Sequence, residues 1–326
     1  MKILVTGGAG FIGSHLSETL VKRGEEVVVV DNFNDFYDPA VKRENIKELL
    51  ETPAFTLHEI DIRDPEKVKE VFRAERPDVV CHIAARAGVR PSIEDPVLYE
   101  EVNCLGTLNI LEGVKGLKVK NFVFASSSSV YGVNSKVPFS EEDPVERPIS
   151  PYASTKRAGE LMCYTYSHLY NIPVTCLRFF TVYGERGRPD MAVAKFTRLI
   201  HEGKKIPLYG DGSAKRDFTY IDDIIRGVTA ALYKPSVYEI INLGGSRTVE
   251  VKRLIAVIEE NLGKKAEIDE LPPMPGDVPI TYADTGKAER LLGFTASVRI
   301  EEGVRRYVEW FLRRAKGAAS TGLIVQ

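Results

Sequence analysis

The fold is decided by the stretch Thr6-Gly7-Gly8-Ala9-Gly10-Phe11-Ile12-Gly13, which follows the apolar run Ile3–Val5. A strand that runs into closely spaced glycines and continues as a helix is typical of a dinucleotide cradle. Gly7 permits the tight turn, Gly10 lets the backbone approach a pyrophosphate, and Gly13 lets the helix pack closely on the sheet. The N-terminus of that helix offers unpaired N–H groups and a partial positive charge to phosphates.

The residues that follow strengthen this interpretation. The pattern predicts a helix over Phe11–Arg23 and a buried strand over Val27–Val30 that ends in Asp31. Asp31 lies 18 residues after Gly13, close to the interval of ~20 residues expected for the carboxylate that binds the adenosine ribose. Because a carboxylate there accepts hydrogen bonds from ribose hydroxyls and repels a 2′-phosphate, the sequence favours NAD over NADP.

Short apolar runs alternate with helical patterns along the first half of the chain. Near-continuous apolarity is typical of strands that are buried on both faces of a parallel sheet. The predicted strands are Ile3–Val5, Val27–Val30, Phe55–Ile60, Val79–Ile83, Phe122–Ala125 and Val174–Leu177. We therefore expect an α/β protein with a Rossmann-type doubly wound parallel sheet and a smaller C-terminal substrate-binding α/β lobe.

The alternation becomes less regular after about residue 180, which suggests a domain boundary. We expect residues 1–180 to form the dinucleotide-binding domain, with the chain returning to it around 217–242. Residues 181–316 would form mainly the substrate lobe, and 317–326 a tail. Such a lobe would close over the carboxyl ends of the strands, where open α/β sheets bind ligands.

Bulk properties exclude several classes of protein. A formal net charge of −2 over 326 residues argues against a protein that coats nucleic-acid phosphates. The four cysteines, Cys81, Cys104, Cys163 and Cys176, show no CxxC or Cys/His spacing, so we expect reduced thiols and no metal. No apolar run reaches the ~18 residues of a membrane span, and no signal peptide precedes the first strand, so we expect a cytoplasmic protein with no membrane or nucleic-acid partner.

Two later motifs point to redox chemistry. Tyr152-Ala153-Ser154-Thr155-Lys156 places a tyrosine and a lysine on the same side of a helix, and Ser126-Ser127-Ser128-Ser129 follows a buried strand. A tyrosinate can take the proton of a carbinol while a hydride leaves carbon for NAD. Free tyrosine titrates near 10, so its pKa must fall by ~3 units; the positive charges of Lys156 and the nicotinamide would stabilise the anion. Ser127 would share the hydrogen bond of the substrate hydroxyl.

Together these motifs resemble the extended short-chain dehydrogenase/reductase family of NAD-dependent epimerases and dehydratases, which acts on nucleotide sugars. The resemblance extends from Met1 to about Arg306. It implies Ser127, Tyr152 and Lys156 as the catalytic set and a tightly held NAD that is reduced and reoxidised within one turnover. The residues that it implies around NAD are Gly7, Gly10, Phe11, Ile12, Asp31, Asn32, Asp61, Ile62, Ala84, Ala85, Asn103 and Lys156. It also implies a homodimer built as a four-helix bundle from helices near Pro96–Val114 and Ser154–Tyr170.

Within the family, the serine run argues against dehydration. Dehydratases of this fold place an acidic pair where this chain has Ser128 and Ser129, because eliminating water needs an additional acid and base. Nothing in the sequence suggests the cysteine nucleophile of a nucleotide-sugar oxidase. Epimerases, decarboxylases and ketosugar reductases remain.

Several longer strings resemble UDP-glucuronate 4-epimerases. Thr181 stands where decarboxylases and UDP-galactose 4-epimerases usually have Asn, and Met274 stands where the galactose enzymes usually have Arg. The strings Asn32–Pro39, Ala84–Arg90 and Gly187–Ala192 agree with the uronate type. The resemblance therefore favours UDP-glucuronate as the substrate. A UDP-glucose/UDP-galactose 4-epimerase is the alternative, and a non-catalytic NAD-binding regulatory protein is a remote one.

The expected substrate site must hold the UDP firmly and the sugar loosely. The resemblance implies Arg188 and Arg216 for the diphosphate and Asp277 for the uridine ribose. A 4-keto uronate is a β-keto acid that loses CO2 when its carboxylate stands perpendicular to the ketone. We hypothesise that small hydroxyls hold the carboxylate out of that geometry. The complete expected substrate set is Arg90, Ser128, Ser129, Thr181, Arg188, Arg216 and Asp277.

Overall fold

The computed structural model describes residues 1–272 and 278–321, and of residues 317–321 it describes the backbone alone. Met274 and Asp277, on which two of the sequence expectations depend, lie outside the described residues, as do residues 322–326. In the described part the strands are β1 (Lys2–Thr6), β2 (Glu26–Asp31), β3 (Phe55–Glu59), β4 (Val79–His82), β5 (Asn121–Ser127), β6 (Val174–Phe179), β7 (Thr181–Tyr183), β8 (Ile206–Tyr209), β9 (Lys215–Tyr220), β10 (Tyr238–Leu243), β11 (Thr248–Glu250) and β12 (Ile268–Leu271).

Helices connect these strands and cover both faces of the main sheet. They are α1 (Phe11–Lys22), α2 (Pro39–Ile46), α3 (Pro65–Glu75), α4 (Val89–Glu94), α5 (Pro96–Tyr99), α6 (Gly106–Val114), α7 (Pro151–Tyr170), α8 (Ala192–His201), α9 (Ile221–Tyr233), α10 (Val251–Leu262), α11 (Gly286–Leu292) and α12 (Ile300–Thr321). A π-helical segment, Glu100–Leu105, joins α5 to α6.

The central sheet has seven parallel strands in the order β10-β6-β5-β4-β1-β2-β3. All six predicted strands belong to it, and the prediction of a doubly wound Rossmann-type sheet is confirmed. Successive side chains of β1 enter opposite cores, because Ile3 and Val5 pack on one face and Leu4 on the other. This arrangement explains why the strands are apolar throughout rather than alternating.

The rest of the chain forms two small sheets beside the large one. Strands β7, β9 and β11 make a three-stranded sheet, and β8 pairs with β12. Residues 215–220 therefore belong to a small sheet, whereas β10 returns to the edge of the large sheet. The division into a dinucleotide-binding domain and a substrate lobe remains a proposal. Helix α12 extends to Thr321, into the segment 317–326 that the sequence analysis treated as a tail.

None of the described helices is long and apolar enough to cross a membrane.

Candidate active site

A cavity of about 410 Å³ opens at the carboxyl ends of β1, β2, β4 and β5. It brings together residues from the glycine turn, the ends of these strands and the start of α7. Its wall includes Gly7, Gly10, Phe11, Ile12, Asp31, Asn32, Asp61, Ile62, Ala84, Ala85, Ser127, Tyr152, Lys156 and Arg188. The structure thus places most of the expected cofactor residues, and the three expected catalytic residues, around one space.

The glycine turn has the tight geometry that the spacing predicts. Gly7 has a φ of 71° and donates its N–H to the carbonyl of Val30 at 2.7 Å. A β-carbon at Gly13 would lie 2.1 Å from the carbonyl oxygen of Gly7, so only glycine lets α1 start this close to the turn. The backbone of Gly10 forms the N-cap of α1. The turn can therefore present the helix N-terminus to a phosphate.

The carboxylates at the ends of β2 and β3 are held by local hydrogen bonds. Asp31 accepts hydrogen bonds from the backbone N–H groups of Ala9 at 3.1 Å and Phe33 at 2.9 Å. Burial raises the pKa of its carboxyl, and these two bonds oppose the rise. Asn32 donates to the carboxylate of Asp61 at 2.9 Å. The cavity thus has fixed acceptors near the glycine turn, which suits the hydroxyls of an adenosine.

The serine, tyrosine and lysine come from two adjacent elements. Ser127 ends β5, and α7 begins just before Tyr152, capped by the hydroxyl of Ser150, which accepts the N–H of Ala153 at 3.1 Å. The ammonium of Lys156 donates to the carbonyl of Ala125 at 2.7 Å. This bond fixes the lysine between strand and helix, beside the cavity.

The electrostatic balance at the tyrosine differs from the sequence expectation. Burial raises the pKa of Tyr152, while the hydrogen bond with Ser127 and the charge of Arg188 act in the opposite direction. Burial also lowers the pKa of Lys156 to about 8. Because burial dominates, the protein groups alone do not lower the tyrosine pKa towards 7.

Asn103 does not reach the cavity wall. It is buried in the π-helical segment, where its side-chain oxygen accepts the N–H of Arg86 at 2.8 Å. Its amide nitrogen donates to the carbonyl of Arg86 at 3.0 Å and to the hydroxyl of Thr155 at 3.0 Å. All these partners belong to the protein, so Asn103 supports the wall from behind.

The expected substrate residues are distributed over several places. Arg188 lines the cavity and forms a bidentate pair with Asp190, at 2.9 and 2.7 Å. Thr181 lines a small adjoining cavity that shares Phe11 and Met191 with the main one.

The described wall of the main cavity does not include Arg90, Ser128, Ser129 or Arg216. The Arg90 guanidinium lies 4.1 Å from the ring centre of Tyr209. Arg216 donates to the carbonyl of Lys215 at 2.9 Å.

Ser128 and Ser129 follow β5 in a 3₁₀ turn. The hydroxyl of Ser127 donates to that of Ser129 at 3.2 Å. The serine run is thus adjacent in the chain to the catalytic candidate without forming part of the cavity wall.

Apart from Arg188, the sequence analysis did not single out an aromatic and cationic group in the cavity wall. The guanidinium groups of Arg86 and Arg188 lie 5.6 and 5.2 Å from the ring centre of Phe36, and the ammonium of Lys42 lies 4.9 Å from that of Tyr37. All five residues line the cavity. Phe36, Tyr37 and Arg86 belong to strings that served only for the family resemblance, and their position directly after β2 and β4 was a signal that they face the site.

No group of three or more metal-ligating side chains occurs among residues 1–272 and 278–321. The arrangement fits a dinucleotide instead. The backbone packs so closely at Gly7 and Gly13 that β-carbons there would clash with Ala84 and with the turn itself, and a buried carboxylate, Asp31, ends the neighbouring strand. A tyrosine and a lysine line the same cavity, and such a pair can exchange a proton with a substrate.

The chain is similar to known proteins over nearly its whole length. The family model described as "NAD dependent epimerase/dehydratase family" matches residues 3–244. The UDP-glucuronate 4-epimerase of Thermodesulfobacterium geofontis is 47% identical over 308 residues, which are 94% of this chain and 95% of that protein.

Two solved structures are similar in fold as well as in sequence. The UDP-glucuronic acid 4-epimerase of Bacillus cereus, in complex with UDP-glucuronic acid and NAD, is 38% identical with a TM-score of 0.91, covering 96% of this chain and all of that one. The UDP-glucose 4-epimerase of Thermotoga maritima, with UDP-glucose, is 36% identical with a TM-score of 0.89, covering 97% and 100%. These matches confirm the family expected from the motifs: the chain belongs to the NAD-dependent epimerase/dehydratase family.

Proposed function

We propose that the protein is an isomerase, an NAD-dependent 4-epimerase that converts UDP-glucuronate to UDP-galacturonate through a transient 4-keto intermediate. The observation that carries the proposal is that Ser127, Tyr152 and Lys156 line the same cavity as the glycine turn. Support for the substrate comes from the relatives that are named UDP-glucuronate 4-epimerases.

In this mechanism Tyr152 removes the O4 proton and Ser127 holds the same hydroxyl in place. Lys156, in its protonated form, contributes a positive charge that favours the tyrosinate. Bound NAD would supply the acceptor for the C4 hydride and the donor for its return to the opposite face, and its positively charged nicotinamide would help to lower the pKa of the tyrosine. Between the two transfers the 4-keto sugar rotates in the cavity and presents the opposite face of C4. Return of the hydride to that face inverts the configuration of C4.

Rotation of the 4-keto sugar requires that the UDP part of the substrate stay bound in place. Of the two arginines that the family resemblance implies for the diphosphate, Arg188 is the one that lines the cavity. Its pairing with Asp190 must be exchanged for a phosphate when substrate binds. Arg216 and Asp277 complete the anchor proposed from the family resemblance.

We assign the sugar carboxylate to Ser128, Ser129 and Thr181. Ser128 and Ser129 directly follow Ser127 in the chain, and Thr181 lines the adjoining cavity. Held by hydrogen bonds, the carboxylate would stay near the plane of the C4 ketone, where loss of CO2 is disfavoured.

A homodimer is part of the proposal. Helix α7 exposes Leu161, Tyr164 and Leu169, with relative exposures of 51, 53 and 59%. The segment from α5 to α6 exposes Val97 and Leu105, at 66 and 46%. Two such apolar surfaces per subunit could form a four-helix bundle with a second copy.

The proposed location is the cytoplasm, because the four cysteines are free thiols, as is usual in a reducing compartment.

The main alternative is a UDP-glucose/UDP-galactose 4-epimerase, which the Thermotoga maritima structure favours. A non-catalytic NAD-binding protein would not need Tyr152 and Lys156 together beside the cavity.

The test is to incubate the purified protein with UDP-glucuronate or with UDP-glucose, without added NAD, and to separate the products by chromatography. Formation of UDP-galacturonate without UDP-xylose supports the proposal. Conversion of UDP-glucose alone would assign the enzyme to the galactose type. A Tyr152→Phe variant should lose activity by about 10²–10⁴-fold, which excludes a contaminating enzyme.

A further inference from the structure

A chain of buried hydrogen bonds runs behind the cavity, starting at the end of β1. The hydroxyl oxygen of Thr6 lies 2.6 Å from Nδ1 of His82, and Nε2 of His82 lies 2.9 Å from the hydroxyl oxygen of Thr107. The hydroxyl of Thr107 donates to the backbone carbonyl of Asn103 at 2.5 Å. Each of these four residues is at most 2% exposed, so water does not compete for the bonds.

The direction of every bond in this chain follows from its last hydroxyl. Thr107 gives its only hydroxyl proton to the carbonyl of Asn103, so its oxygen can only accept a hydrogen bond from His82. The ring therefore carries its proton on Nε2, and its unprotonated Nδ1 accepts the hydroxyl proton of Thr6. The oxygen of Thr6 in turn accepts the backbone N–H of Ala84 at 3.1 Å. The opposite tautomer would leave no proton between Nε2 and the oxygen of Thr107.

The histidine stays neutral in this position. Burial lowers the pKa of His82 to about 3, with a further contribution from the charge of Lys156. A charged ring would donate from both nitrogens and oppose the proton of Thr6. The neutral Nε2–H form is the one that satisfies every group.

The far end of the chain meets the catalytic helix. The side chain of Asn103 binds both backbone groups of Arg86 and donates to Thr155, and Thr155 donates to the carbonyl of Tyr152 at 2.9 Å. Asn103 reaches these partners from the π-helical segment, whose wider turn displaces its side chain from an ordinary helical register. The wall segment Ala84–Arg86 is thereby joined to the helical turn that carries the tyrosine and the lysine.

We infer that His82 and Thr107 are positioning residues for hydride transfer. Acting through Asn103, they hold the cofactor side of the cavity and the Tyr152–Lys156 turn at a fixed separation. The hydride transfer in this inference rests on the proposed function. The arrangement of the hydrogen bonds does not depend on it.

The first test compares two substitutions of one residue. Thr107→Val keeps the shape but leaves Nε2–H of His82 without an acceptor, whereas Thr107→Ser keeps the hydroxyl. We expect the valine variant to lose about tenfold or more in kcat with KM changed by less than about threefold, because misalignment affects the transition state more than binding. The serine variant should recover most of the loss.

Thr175→Val is the matched control. Thr175 is buried in β6 of the same sheet, and its hydroxyl has no hydrogen-bond partner among the described residues. This variant should keep the wild-type kcat. Wild-type kcat in Thr107→Val, or equal losses in Thr107→Val and Thr107→Ser, would overturn the inference.

The second test does not depend on the reaction. In protein labelled with ¹⁵N-histidine, the NMR signals of His82, assigned by their loss in a His82→Gln variant, should show the neutral Nε2–H tautomer at pH 7. A proton on Nδ1 would overturn the inference even in an active enzyme. An absence of epimerase activity with the expected tautomer would instead count against the proposed function.

Discussion

At the residue scale, the proposed reaction needs two buried side chains, Tyr152 and Lys156, to carry opposite charges. Burial raises the pKa of Tyr152 and lowers that of Lys156, so it disfavours the charged form of both. The proposed reaction nevertheless needs the tyrosine as an anion and the lysine as a cation. The lysine is 4% exposed and donates to the carbonyl of Ala125, so its position is fixed while its protonation depends on pH.

The first prediction concerns this pH dependence. Lys156, with a pKa of about 8, carries its charge below that pH and loses it above. With the bound nicotinamide keeping Tyr152 ionised at pH 8, the charge of Lys156 is the one lost on further rise, so we expect kcat/KM of the NAD-loaded wild type to fall as the pH rises above about 8. In a Lys156→Arg variant, which stays charged, activity should be lower but without this decline. A wild-type profile that stays level to pH 9.5, measured at constant ionic strength, would contradict the assignment.

The second prediction concerns the fate of the sugar carboxylate. Thr181→Ala removes a hydroxyl beside the adjoining cavity, so more of the 4-keto intermediate should adopt the geometry that loses CO2. We expect a higher ratio of decarboxylated 4-keto pentose to UDP-galacturonate, measured by chromatography with mass detection. Thr181→Ser should keep the wild-type ratio. An unchanged ratio in the alanine variant would remove Thr181 from the proposed carboxylate site.

At the element scale, one buried carboxylate ties α7 to the two strands beneath it. Glu160, on α7, accepts from the hydroxyl of Ser126 on β5 at 2.6 Å and from the guanidinium of Arg178 on β6 at 2.8 and 3.0 Å. Burial alone would raise the pKa of Glu160, but its interactions with Arg178, Ser126 and Arg157 together lower it. The position of α7, and hence of Tyr152, depends on this contact.

The third prediction follows from the burial of both charges, since Glu160 is 0% and Arg178 1% exposed. Glu160→Gln leaves a buried arginine without a counter-charge, so the free energy of unfolding should fall by about 3–5 kcal/mol. The double variant Glu160→Leu/Arg178→Met buries no charge and should recover most of that loss. Denaturant unfolding measures both. If the double variant is no more stable than Glu160→Gln, the loss of stability does not come from an unpaired buried charge, and the prediction is wrong.

At the scale of the whole molecule, the exposed apolar residues of α7 and of the α5–α6 segment are the main candidates for an interface. Leu161 and Leu169 lie eight positions apart and therefore share a face of the helix. A monomeric protein seldom exposes an apolar surface of this kind to water. Burial against a second copy in the proposed dimer accounts for it.

The fourth prediction tests that interface. Leu108 lies on α6 and is 36% exposed. Leu161→Asp combined with Leu108→Asp would place carboxylates in the proposed bundle, so the dimer should dissociate to monomers, as measured by sedimentation velocity. Leu291→Asp is the control, because Leu291 is similarly exposed, at 40%, but lies on α11, away from these helices. A wild type that is monomeric, or a double variant that remains a dimer, would contradict the proposed bundle.

Local patterns in the sequence were enough to predict the fold class and to single out a tyrosine, a lysine and a serine that line one cavity. The apolar runs identify strands because burial on both faces demands apolarity at every position. The glycine spacing identifies the turn because a β-carbon at Gly13 has no room. The four-residue spacing of Tyr152 and Lys156 places them on one side of a helix. These are constraints between near neighbours in the chain, so they are readable without the folded structure.

Tertiary structure decided the features that join distant parts of the chain. Asn103 turns towards Arg86 and Thr155 instead of the cavity, and Phe36 lies between two guanidinium groups. The direction of the His82 hydrogen bonds depends on partners 76 and 25 residues away. Such contacts have no period or spacing in the sequence, because they arise only when separate elements pack together and buried polar groups must each find a partner.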